Sequence, residues 1–141
     1  MLRTISATAL LVLAQTAGGF AAPACSGADP AIVSAAVRGV SAADGVNHYD
    51  INGTVINSGS APQSPDVLQF VDIYQAGVKV DDKGIPPLKP GQAYTFSYVA
   101  ARSSDAGFGT TNLTFKLDVR QPSPARWEDC NSANGQYTLS F

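Results

Sequence analysis

Charge is scarce in this chain. Lys, Arg, Asp and Glu make up 14% of its 141 residues, and the formal balance is 9 − 11 = −2. Neither sign forms a block, so the sequence offers no basic footprint for a phosphate backbone, and nucleic acid is not an expected partner. Histidine and tryptophan occur once each, and cysteine twice. Long apolar runs are missing too: no stretch reaches the roughly 20 residues that span a bilayer. Hydrophobic residues nonetheless reach 45%, which excludes a charge-rich, apolar-poor disordered tail. The length suits one domain better than two.

The first 24 residues read as an address. Arg3 is the only charge before Asp29, Leu10-Leu11-Val12-Leu13 centres a short apolar run, and Gly18, Gly19, Ala21, Ala22 and Ala24 follow it. A positive start, a short apolar run and a small-residue exit make a secretory signal peptide. Ala22-Pro23-Ala24 fits the cleavage pattern, with Ala21 as the fallback. The expected organisation is therefore a signal peptide over 1–24 and one domain over 25–141, exported to the periplasm or beyond.

Export changes how the two cysteines read. In an oxidising compartment, Cys25 and Cys130 are most simply one disulfide. The rival is a lipid on Cys25, as at the first residue of a bacterial lipoprotein. Against it stand Pro23, the absence of the expected Leu, and a Cys130 that would be left alone. Two cysteines so far apart do not suggest a zinc site.

The mature chain is a series of short alternating runs. Tyr49, Ile51, Gly53 and Val55 alternate with His48, Asp50, Asn52 and Thr54. Tyr94, Phe96 and Tyr98 alternate with Thr95, Ser97 and Val99, and Leu113, Phe115, Leu117 and Val119 with Thr114, Lys116, Asp118 and Arg120. Further strands are expected at Ala31–Val40, at Val67–Tyr74 (apolar on both faces, hence central), at Val78–Val80 after an Ala76-Gly77 turn, and at the C-terminal Tyr137, Leu139 and Phe141. Asp81–Gln92 reads as a proline-rich connection. Seven short antiparallel strands point to an all-β, two-sheet sandwich. Period-2 alternation then puts Tyr49, Ile51, Val55, Phe96, Leu113, Phe115, Leu117, Val119 and Leu139 on the inner faces.

Three pieces of the chain together resemble the CARDB family, the "cell adhesion related domain found in bacteria". They are Val55-Ile56-Asn57-Ser58-Gly59, then Leu88-Lys89-Pro90-Gly91-Gln92 before an aromatic strand, and the acidic and Asn-rich stretch Glu128–Asn134. Their order and spacing match across nearly the whole mature chain. The resemblance implies an immunoglobulin-like antiparallel β-sandwich of about seven strands with an extracytoplasmic interaction role, and it implies no activity.

The residues that could carry chemistry point the same way. His48, with Asp50 on the same strand face and Asp44 nearby, lacks a third defined metal ligand. No Gly-x-Ser-x-Gly elbow is present. Glu128, Asp129, Asn131 and Asn134 do not follow an EF-hand spacing and read better as a turn latch than as a calcium loop. The acceptor patterns at Asn52 and Asn112 fall inside strands. The chain is therefore expected to be no enzyme, without metal or cofactor, and to bind an extracytoplasmic protein. The alternative is a carbohydrate-binding or inhibitor-like sandwich using exposed Tyr74 or Trp127. Counting chain reversals gathers the three longest loops, with both cysteines, at one end of the sandwich. Gln63, Ile85, Leu88 and Trp127 are the candidate binding surface there.

Overall fold

A computed structural model describes residues 25–105, 109–122 and 127–141. The segment read as a signal peptide lies outside the described residues. Seven strands form two antiparallel sheets: β1 (Pro30–Ala43), β2 (Val46–Asn57), β3 (Leu68–Gln75), β4 (Val78–Ile85), β5 (Ala93–Ser103), β6 (Asn112–Gln121) and β7 (Gln136–Ser140). One sheet has the order β1-β2-β5 and the other β4-β3-β6-β7. This is the all-β, two-sheet antiparallel sandwich expected from the alternating runs.

Two hairpins rest on two-residue turns with positive φ at both centres: Asp44 and Gly45 (51° and 73°) and Ala76 and Gly77 (50° and 78°). Such turns match the right-handed twist of the strands they join. The Asp-Gly pair therefore makes a tighter reversal than the Ala42–Asn47 loop expected from the sequence. A second boundary also moves. β4 runs on to Ile85 rather than ending at Val80, because Asp81, Asp82 and Lys83 pair opposite Ile73, Asp72 and Val71. Charged residues enter this strand because it lies at the sheet edge, where their heads reach water.

Ile51, Val55, Val71, Ile73, Leu113 and Phe115 are fully buried between the sheets, with Ile32, Phe96 and Ala100 beside them. Tyr49, Leu117 and Leu139 pack against this core from partly buried positions, and Val119 is half-buried toward the end of β6. Phe96 lies against the opposite Gly53 of β2. A Cβ at position 53 would sit inside the Phe96 ring, so glycine here is a packing requirement rather than a turn. Phe96 then reaches Phe115 across the core, with ring centroids 5.5 Å apart.

β3 has β4 on one side and β6 on the other, as its two apolar faces suggested. Its outward residues are not bare. Asp72 accepts from Lys79 at 2.8 Å and from Arg120 at 2.9 Å, and Arg120 also holds Asp118 at 2.8 Å. The Arg120 guanidinium lies 3.9 Å from the centre of the Phe70 ring, and the Lys116 ammonium 5.0 Å from that of Tyr74. Long cationic side chains thus roof both aromatic rings. Among the described residues no helix is long and apolar enough to cross a membrane.

Candidate functional site at the disulfide-pinned end

The loop after β2, the connection from β4 to β5 and the segment after β6 meet at one end of the sandwich, where the reversal count put them. Cys25 and Cys130 form the disulfide there, with Cα atoms 5.8 Å apart. Backbone bonds continue the seam: Cys130 N–H donates to Ala28 O at 2.9 Å, and Ser60 N–H to Gly27 O at 2.9 Å. Gly59 lies so close to the Gly27–Asp29 backbone that no Cβ would fit.

Two buried amides organise this end. Asn57, the last residue of β2, is fully buried. Its Oδ1 accepts from Asp29 N–H and Gly59 N–H, each at 3.0 Å, and its Nδ2 donates to Ala61 O and Leu88 O, each at 2.9 Å. One side chain thus ties the N-terminal segment, its own loop and the β4–β5 connection, using its full donor and acceptor capacity. Gln63 does the same a few residues on. Its Nε2 donates to Gln69 Oε1 at 2.8 Å and to Glu128 O at 3.0 Å; its Oε1 accepts from Gln69 at 2.8 Å and from Leu88 N–H at 3.0 Å. The Glu128 carboxylate accepts from Ser64 N–H at 2.7 Å, and Asn134 donates to Asp29 at 2.9 Å.

These contacts correct the residue assignment made from sequence. Gln63, Ile85 and Leu88 are 6%, 4% and 1% exposed, so they offer little surface of their own. Gln63 is an amide hub, while Ile85 and Leu88 close the core under the loops. Sequence reasoning placed them outside because they sit among prolines and polar residues; long-range hydrogen bonding draws that backbone inward. Trp127 differs from them, at 64% exposed. The three stretches that carried the family resemblance turn out to be neighbours: Asn57, Leu88 and Glu128 belong to one connected set of bonds.

What the latch leaves outside is a groove of about 380 Å³, lined by Pro62, Gln63, Pro65, Pro87, Leu88, Lys89 and Gln92. Its three prolines have fixed φ, so its walls lose little freedom when something binds. Lys89 is exposed at the rim. The groove itself was missed from sequence, although a Pro-rich loop on each side of the hub was the available signal.

Burial raises the carboxyl of Asp129 above its ordinary range, while the Asn131 N–H that it accepts works the other way and the nearby Asp29 charge adds to the rise. Among the described residues no three His, Cys, Asp or Glu side chains converge so as to hold a metal ion. His48 stands on β2 opposite Ser41 and Ala101. Asn52 and Asn112 hold cross-strand bonds, accepting from Ser97 at 2.9 Å and from Ser140 at 2.6 Å. Tyr74 lies on the β3 face under Lys116.

No protein-family model matches this chain, and no curated protein matches it. Its fold is similar to that of a solved domain, spanning residues 272–376 of a protein from Methanosarcina acetivorans described as a cell surface protein. The TM-score is 0.54 at 17% identity, over 81% of this chain and 90% of that one. The likeness is one of fold.

Proposed function

We propose that this chain is an exported, non-enzymatic interaction module of the CARDB type, which binds a protein outside the cytoplasm through its disulfide-pinned end. The observation that carries the reading is the proline-walled groove above the amides of Asn57 and Gln63, whose donors and acceptors are all bonded. A buried network this complete holds three loops in one arrangement, and loops held by a rigid sandwich are common binding elements. The disulfide fits an oxidising compartment, and the fold it shares with a cell surface domain is compatible with that location. The contact residues in this reading are Pro62, Pro65, Pro87, Lys89 and Gln92, with the exposed Trp127, next in sequence to Glu128, as a further one; Gln63 and Leu88 also line the groove. A sugar-binding surface would call for aromatic rings free to stack, whereas Lys116 and Arg120 cover Tyr74 and Phe70.

The test is capture from an extracytoplasmic extract with the exported protein as bait, followed by variants at both ends. Lys89→Glu and Trp127→Ala are expected to weaken a captured partner at least tenfold, because a Trp is a common interface anchor and reversing a charge sets like charges against each other. Ala76→Lys and Ser104→Lys, at the far end, are expected to leave it unchanged. Affinity that depends on the far-end pair and ignores Lys89 and Trp127 overturns the proposal.

A further inference from the structure

The four sheet edges of this sandwich are not protected alike. β1 has two irregularities, at Ile32/Ser34 and Val37/Gly39, where the register shifts. β4 carries Lys79, Asp81, Asp82 and Lys83 among its eight residues and has a shift of its own against β3. β7 is only five residues long. Bulges, charges and shortness are the usual means of keeping an edge from pairing with another chain. β5 has neither bulge nor shortness, and its one charge, Arg102, lies next to its end. It is eleven residues long, holds an unbroken register against β2 from Ala93 to Ser103, and contains no proline. No charge occurs from Ala93 through Ala101. Among the described residues no strand pairs with its other edge. Ala93, Thr95, Ser97, Val99 and Ala101 are exposed along it.

We infer that β5 pairs with β5 of a second copy of this chain, antiparallel about a two-fold axis at Ser97. Charge and symmetry select this occupant. Centring on Ser97 sets Ala93 opposite Ala101, Thr95 opposite Val99 and Ser97 opposite itself, so all nine uncharged residues face uncharged ones. Arg102 then falls opposite Gln92 rather than opposite its own copy, so no like charges meet across the seam. The innermost outer-face pair is two serines, small enough for close approach. Because the other three edges are guarded, one such contact uses up the available edge. The assembly closes as a two-fold dimer with a six-stranded sheet and does not propagate as a fibre. Unpaired backbone N–H and C=O groups supply the attraction, as in strand addition generally.

Sedimentation equilibrium of the exported protein over a concentration series tests the idea. A monomer–dimer equilibrium is expected, and Ser97→Lys, which sets two ammonium groups together at the axis, is expected to weaken it at least tenfold. Ser97 is exposed and its substitution leaves the core intact, and a thermal melt checks that. Ser97→Cys is expected to form an intermolecular disulfide under mild oxidation far faster than Thr54→Cys, which lies on the same sheet face but on the central strand. A protein that stays monomeric at millimolar concentration overturns the inference. So does a dimer indifferent to Ser97→Lys, or equal cross-linking through position 54. A monomer that instead takes up a strand from a different protein along β5 overturns it as well.

Discussion

Gln63 and Gln69 close a two-bond ring with their amides: each Nε2 donates to the other's Oε1 at 2.8 Å, and both side chains are buried. Gln69 also donates to Pro86 O at 3.1 Å. The ring links the loop after β2, strand β3 and the β4–β5 connection. Gln69→Leu removes one half and leaves one N–H of Gln63 and Pro86 O without partners in a buried site, with Leu88 N–H as the remaining donor to Gln63 Oε1. The expected loss is about 1–3 kcal/mol, read from urea unfolding. A Gln63→Leu/Gln69→Leu pair is expected to lose less than the sum of the two single variants, because the apolar pair strands fewer groups.

Asn57 distinguishes donor from acceptor. Asn57→Asp keeps the oxygen that takes Asp29 N–H and Gly59 N–H, but sets a carboxylate oxygen against the carbonyls of Ala61 and Leu88. Its folded-state pKa is expected to rise, since only the protonated form can donate to a carbonyl. The folded state then binds more protons than the unfolded one between the two pKa values, so stability is expected to fall as pH rises through that window. Asn57→Ala is expected to cost on the order of 3 kcal/mol with no such pH dependence. Thermal melts of both variants at pH 4 and pH 7 separate them.

Asp129 has its carboxyl pushed up by burial. The sign is the same: its contribution is fully present below the unfolded pKa and is lost as pH rises through the folded pKa. Asp129→Asn retains an oxygen for the Asn131 N–H and removes the charge. A gain in stability is expected at pH 7 and none at pH 3. Equal gain at both pH values would count against a charge effect.

The Cys25–Cys130 bond closes a sequence separation of 105 residues. Replacing both cysteines by serine is expected to cost about 2–5 kcal/mol. The urea m-value is expected to increase as well, because an uncrosslinked chain exposes more surface when unfolded. Intact mass before and after alkylation checks the pairing directly.

Gly53 and Phe96 test the core. Gly53→Ala drives a methyl group into the Phe96 ring, for an expected loss of about 1–3 kcal/mol. Phe96→Leu in that background is expected to restore part of the loss, and in the wild type to cost stability. Denaturation of the four proteins in the cycle gives the coupling.

The sequence by itself determined the strands and which of their residues face inward. Alternation has a period of two, and the pleat obliges alternate residues to share a face, so Ile51, Val55, Phe96, Leu113 and Phe115 were readable as core. Chain reversal is likewise local, which is why both cysteines and the proline-rich loops could be assigned to one end. Only the tertiary structure decided what those loops do. The burial of Gln63, Ile85 and Leu88 depends on partners such as Glu128, 65 residues from Gln63 in sequence, and no local pattern encodes a bond of that range. For the same reason Asp81, Asp82 and Lys83 extend β4 where composition suggested a loop, since they pair opposite Ile73, Asp72 and Val71 of the neighbouring strand. Periodicity reports which way a side chain points from its own backbone; what it meets there depends on how the two sheets and their connecting loops are brought together.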